Sequence, residues 1–290
     1  MKTMRALLLV LLTAVLARSA AAEEPDAELI AKITGLKADV KNGIAKVSVP
    51  RGDLGAVIDG AKMQPFQGLT SWAAFQGAGD KTMVMGDLTL TEPQVNPTMS
   101  AALDNGLQVT ALHNHFFFDR PRVFFMHIGG EGTTEQLATA VRKALDAANA
   151  AQRGTGFGGM SIPAKNTIDP KPLEAILGAT AQAKDGIAKF SFGRKTSMDG
   201  TEIGEAMGVN TWAAFAGSEH AAVVDGDFAM LEDELQNVLK ALRHANINVV
   251  AIHNHMTHEQ PRIMFLHFWG KGPAAELARG IKAALDTQRR

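Results

Sequence analysis

The chain reads as an α+β protein built by tandem duplication, each copy an antiparallel sheet of hairpins with helices packed on one face. Three observations predict this. Motifs recur at an offset of 143 residues early in the chain and 140 later: Gly43-Ile44-Ala45-Lys46 returns as Gly186-Ile187-Ala188-Lys189, and Trp72-Ala73-Ala74-Phe75 as Trp212-Ala213-Ala214-Phe215. Two-residue alternation of apolar side chains is broken only by single helical stretches, the pattern of an antiparallel sheet with helices. Two copies of about 120 residues suit paired domains or one pseudo-two-fold fold better than a solenoid of short repeats.

The elements follow in the same order in each copy. A short helix (27–34; 173–177) leads into a hairpin whose tip is Asn42-Gly43 or Asp185-Gly186; these dipeptides supply the positive φ values of a type I′ turn. After a less regular segment come strands at 70–77 and 82–90, mirrored at 211–217 and 221–230. A helix follows, clearest where Leu231, Leu235, Val238, Leu239 and Leu242 recur at helical spacing. Two apolar runs, 107–116 and 122–128, join across Pro121. A helix over 133–148, or 273–285, closes each copy, with Thr133 and Pro273 at the starts. The expected domains are 23–150 and 173–290, separated by a glycine- and proline-rich linker over 151–172.

Residues 1–22 read as a secretory signal. Lys2 and Arg5 precede a short apolar run, and Ala20-Ala21-Ala22 offers a cleavage site. The run falls short of the roughly 20 apolar residues that span a membrane. Without this segment, 26 basic and 30 acidic residues leave a net charge near −4, with no basic tract to neutralise phosphates, so nucleic acid is excluded as a partner. The absence of cysteine rules out disulfides, thiolate metal sites, a cysteine nucleophile and a lipid-modified N-terminal cysteine. The expectation is a soluble periplasmic or secreted protein with no membrane span.

Chemistry concentrates in a repeated motif that holds six of the nine histidines. His113-Asn114-His115 is followed by Pro121-Arg122, His127, Gly130 and Gly132; His253-Asn254-His255 by Pro261-Arg262, His267, Gly270 and Gly272. On a strand, His113 and His115 share a face, roughly 7 Å apart. A three-residue connection over 119–121 sets His127 opposite His113 on that face; a two-residue one turns it away. Three neutral imidazoles around one point make a divalent-metal site with an open position, most suited to zinc and compatible with copper or iron. The candidate ligands are therefore His113, His115 and His127, and His253, His255 and His267.

The surroundings supply further candidates. Asp119 and Glu259, four residues after the second histidine of each motif, are candidate proton acceptors. Arg122 and Arg262 are candidate clamps for a small anionic ligand, or else partners of Asp87 and Asp227. Asn114 and Asn254 read as loop-holding residues, and the paired glycines as tight strand-to-helix turns. Trp72 and Trp212 read as core. So do Met83 and Met85, whose counterparts Val223 and Asp225 break the repeat.

The paired His-Asn-His…Pro-Arg…His-x-x-Gly-x-Gly motifs, with Trp-Ala-Ala-Phe and Gly-Asp upstream, resemble the LppY/LpqO family of exported bacterial proteins over nearly the whole chain after residue 22. The resemblance implies export and supplies no reaction. That family's namesakes look like lipoproteins, a feature a cysteine-free chain does not carry over. Two functional expectations stay open: a protein with histidine-based divalent-metal sites, acting as a metal-dependent hydrolase or hydratase if it is an enzyme, and a metal-free module binding a small anionic ligand or a protein partner.

Overall fold

The structure is a computed structural model and describes residues 24–151 and 160–289. The expected signal segment and the start of the expected linker lie outside them. The first half runs α1 (Ala27–Thr34), β1 (Ala38–Lys41), β2 (Ile44–Pro50), β3 (Val57–Ile58), β4 (Ala61–Lys62), β5 (Thr70–Ala78), β6 (Lys81–Thr91), α2 (Glu92–Asp104), β7 (Gln108–His113), β8 (Asp119–Arg120), β9 (Val123–Gly132) and α3 (Thr134–Ala150). The second runs α4 (Pro170–Leu177), β10 (Gln182–Lys184), β11 (Ile187–Gly193), β12 (Thr196–Met198), β13 (Thr201–Ile203), β14 (Asn210–Gly217), β15 (Ala222–Leu231), α5 (Leu235–His244), β16 (Asn248–His253), β17 (Ile263–Gly272) and α6 (Ala274–Leu285).

Local chemistry sets most of these boundaries. Asn42-Gly43 and Asp185-Gly186 turn with positive φ at both residues, as a type I′ hairpin requires. Thr133 caps α3 by accepting a hydrogen bond from the Gln136 N–H, and the Gln136 side chain accepts one from the Thr133 N–H, a reciprocal capping box. The helix expected over 173–177 begins earlier, at Pro170, because Asp169 accepts from the Lys171 N–H as its cap. Residues assigned to the linker are thus partly structural: Ile168 is buried in the core and Asn166 accepts from the Gly217 N–H.

Twelve strands form one continuous, antiparallel sheet in the order β1-β2-β5-β6-β9-β7-β16-β17-β15-β14-β11-β10. The order reads the same from either end once equivalent strands are matched. β6 and β7 flank β9, and α2 carries the chain from one to the other. Side chains alternate across the strands. Val84, Leu88, Leu90, Met126, Ile128 and Leu112 share one core cluster with helix residues such as Met99, Val141 and Leu239. That cluster runs through both halves. The opposite parity carries Asp87 and His127.

The halves meet at the sheet centre, where β7 and β16 pair at Leu112 and Ile252. Each strand has a bulge, between Val109 and Ala111 or Val249 and Ala251. Side chains from the opposite half close the ladder there. Asn96 of α2 donates to the Val249 carbonyl at 3.1 Å and accepts from the Val249 N–H at 2.8 Å. Gln236 of α5 does the same for Val109, both at 2.9 Å. Each amide stands in for a missing strand partner and satisfies two backbone groups. Among the described residues no helix is long and apolar enough to cross a membrane.

Replacing either amide with alanine leaves two backbone groups unsatisfied, at about 1–3 kcal/mol per group. The Asn96→Ala, Gln236→Ala double variant is expected to unfold in urea in two separated transitions where the parent shows one. A single transition with an unchanged midpoint would contradict this role.

Candidate metal centre

The segments between β2 and β5 and between β11 and β14, irregular in sequence, build a platform on the face opposite the main core. Ala56 and Leu69 pack with Val123 and Phe125 of β9, and Phe116 leans on them. In the second half Val209 packs with Ala229, Ile263 and Phe265, with Met256 alongside. His115 stacks on Phe125 with ring centroids 3.4 Å apart, and His255 on Phe265 at 3.5 Å.

β7 ends at His113, so His115 lies on the following loop, beyond the strand where the sequence places it. The connection is also longer than expected. Asp119 and Arg120 pair with Ile58 and Val57 in a small separate sheet, and β9 starts only at Val123. His113 consequently pairs with Phe125, and His127 with Ala111. His127 is diagonal to His113 and not opposite, but the displacement is an even number of residues, so both still share a face. The Nε2 atoms of His113 and His127 lie 3.1 Å apart. The centroids of His113 and His115 lie 5.1 Å apart.

The second half gathers its groups differently. Nε2 of His253 is 3.1 Å from Nε2 of His255, which is 3.2 Å from Oδ2 of Asp227. Potential ligand atoms of Asp227, His253 and His267 all lie within 4.8 Å of one another. His267 turns Nδ1 towards the Gly226 carbonyl at 3.4 Å, leaving Nε2 as its free ligand atom, the usual outer arrangement of a metal-binding imidazole.

Asp87 and Asp227 are the site residues that sequence reasoning missed. Each pairs across the sheet with a motif histidine, Asp87 with His127 and Asp227 with His267. The signal was present in the repeated Gly-Asp dipeptide. The glycine has a packing reason: a Cβ at Gly226 would lie 2.0 Å from the Trp212 carbonyl oxygen and 2.5 Å from Phe268. Burial pushes the Asp87 and Asp227 carboxyls above the usual carboxylate range, against the pull of the neighbouring histidines. One oxygen of each, Oδ1, is buried without a hydrogen-bond partner. His253 is pushed down to about 4 by burial and by His267 and His255, and His115 is lowered by burial and by His113. With His253 and His115 both lowered, the poorly solvated carboxylate beside each is short of positive charge.

The other candidates fall elsewhere. Asp119 accepts from the Val123 N–H at 2.6 Å, and buried Glu259 from the Ile263 N–H at 3.2 Å. Both carboxylates close the loop before the last strand. Arg122 and Arg262 are exposed and pair with neither Asp87 nor Asp227; Arg262 lines a separate groove with Glu232, Asp233 and Arg289. Asn114 and Asn254 donate to the carbonyls of Phe116 and Met256, holding the loop. Trp72 and Trp212, expected in the core, are half-buried on the histidine face beneath Lys46 and Lys189, at 4.3 and 4.4 Å. Met83 and Met85, also expected in the core, are 39% and 61% exposed, because their parity matches Asp87 and not Val84.

The chain belongs to the family described as Domain of Unknown Function (DUF1259), whose model matches residues 28–147 and again 171–287. The repeat is therefore internal to the chain, one match per half. No curated protein matches it. Among solved structures, the double ringed trimeric shell protein MSM0271 from the RMM microcompartment is 12% identical, over 73% of this chain and 83% of its own. Its TM-score of 0.19 carries no argument for fold or function.

The buried carboxylate makes a stability prediction. A raised folded pKa means stability is lost as pH rises through that value. Asp227→Asn is expected to stabilise the metal-free protein at pH 7 by about 1 kcal/mol, a gain that vanishes in acid, where both side chains are neutral. His253 has the opposite dependence: its folded pKa lies below the unfolded value, so stability falls as pH drops from about 6.5 towards 4. Melting temperatures against pH in chelator should show a shallower acid slope for His253→Gln than for the parent.

Proposed function

We propose that the chain is an exported divalent-metal-binding protein with one site in each half, made by tandem duplication of a unit whose helices cover one face of the sheet. The ligands are Asp227, His253, His267 and His255 in the second half, and Asp87, His113, His127 and His115 in the first. The single observation that carries this reading is in the second half, where ligand atoms of Asp227, His253 and His267 lie within 4.8 Å of one another and Oδ1 of Asp227 is buried and unpartnered. The first half is assigned by its matching residues and by the 3.1 Å approach of the His113 and His127 nitrogens. Two nitrogens bound tetrahedrally at about 2.0–2.1 Å from zinc would lie about 3.3 Å apart, close to the spacing here. A set of imidazoles and one carboxylate suits zinc or ferrous iron and disfavours cuprous ion, which takes sulfur ligands.

A cation held with an open position supplies Lewis acidity to water or to an oxygen of a ligand. The residues prepare for that role by stacking and burial. Phe125 and Phe265 fix the rings of His115 and His255 by stacking, and burial holds His253 unprotonated. Because Asp119 and Glu259 are engaged in loop closure, any proton acceptor is assigned to the histidine cluster. The sequence resemblance to the LppY/LpqO family and the amino-terminal signal pattern support export.

Metal analysis after reloading and gel filtration is expected to give two divalent ions per chain. His253→Ala should remove one, with affinity at that site falling at least about 100-fold, and the His113→Ala, His253→Ala pair should remove both. Full loading of the double variant would overturn the reading.

A further inference from the structure

The two halves differ sharply one step away from the histidines. On the histidine face, the same-parity neighbours of Asp87 and His127 are Met85 and Gly129, which pair with each other. They lie about 7 Å further along the strands. Gly129 and Met85 line a groove of about 650 Å³, together with Met83, Gln108, Thr110 and the charged residues Lys81 and Glu131, within the range of small-molecule sites. The equivalent position in the second half is Trp269, paired with Asp225. One copy carries a methionine beside a glycine where the other carries an acid beside an indole that is 39% exposed.

The fold does not require this glycine. Gly129 has no positive φ, and a Cβ there would meet nothing closer than the Val84 carbonyl oxygen at 3.7 Å, an ordinary contact. Gly226 and Gly270 differ, since a Cβ would collide with backbone or side chains at 2.0 and 2.8 Å. The gap at Gly129 therefore has its effect on the surface. The loop on the far side of the histidines diverges in the same sense: Phe117 and Phe118 are 81% and 78% exposed, where the second half has Thr257 and His258.

We infer that the first-half centre is a ligand site for a small organic molecule with an oxygen-donor head group and an apolar chain. The head sits at Asp87, His113 and His127, and the chain runs over Gly129 and Met85. The second-half centre, closed by Trp269, takes the metal without such a ligand. The inference rests on the metal reading for the head group; the groove itself does not.

The test titrates metal-loaded protein with acetohydroxamate and octanohydroxamate by calorimetry, alongside metal content and spectra of protein labelled with 13C-methyl methionine. Each buried methylene contributes about 4-fold in affinity, so the longer probe is expected to bind the parent at least about 10-fold more tightly, at one site, shifting the Met83 and Met85 methyl signals. Gly129→Trp, copying the second half, should retain two metals and erase the chain-length preference. Met85→Asp should weaken the preference if the tryptophan variant does not fold, and Trp269→Gly should create a second chain-length-sensitive site. Equal affinities for both probes, or a preference that survives Gly129→Trp, would overturn the groove assignment. Methyl shifts with octanohydroxamate but no bound metal would keep the groove and refute the metal reading instead.

Discussion

Strand parity at the six central strands governs the rest of this molecule. In β6, β9 and β7 one set of alternate residues, among them Leu88, Met126 and Leu112, enters the main core. The other set contributes Asp87, His127 and His113 to the opposite face. The second half repeats the arrangement on β15, β17 and β16, so six adjacent strands each place one histidine or aspartate of the two clusters along the same surface. A slip of one residue in any pairing would bury a histidine and expose a core side chain. The bulges at Val109 and Val249 shift register by one residue, and they keep His113 and His253 on that surface while Val109 and Val249 remain in the core.

Bulges break ladders, and the groups they free must be satisfied. Asn96 and Gln236 do this from the opposite half. The side chains that repair each site's strand therefore also join the two repeats. This gives a physical reason for the two repeats to form one sheet: each half carries a defect that an amide from the other completes. The polar face costs stability in its own way. Burial of the Asp87 and Asp227 carboxyls among the histidines removes solvation that no hydrogen bond to Oδ1 restores.

The two repeats share a frame and differ around it. The histidines with their cross-strand aspartate, the phenylalanine platform and the loop-closing carboxylate are common to both halves. The differences between Met85 and Asp225 and between Gly129 and Trp269 sit one same-face step further out, where they alter the surroundings of the histidine cluster without altering its residue types.

The sequence by itself determined what local chemistry can determine. Asn-Gly and Asp-Gly set the hairpins, Thr133 set the start of α3, the repeat set the equivalence of the halves, and the histidine motif marked where polar groups gather. Strand periodicity could have placed Met83 and Met85 on the Asp87 face, but their hydrophobicity argued for the core, and hydrophobicity alone does not say which face of a sheet is covered. Tertiary structure alone decided the connection around Pro121, the loop position of His115, and the pairing of Asp87 with His127 and of Asp227 with His267. Those aspartate–histidine pairs join residues some 40 positions apart through the β6–β9 and β15–β17 ladders, with a helix and at least one further strand in between. A carboxylate isolated in sequence becomes part of the histidine cluster only when a neighbouring strand brings it there.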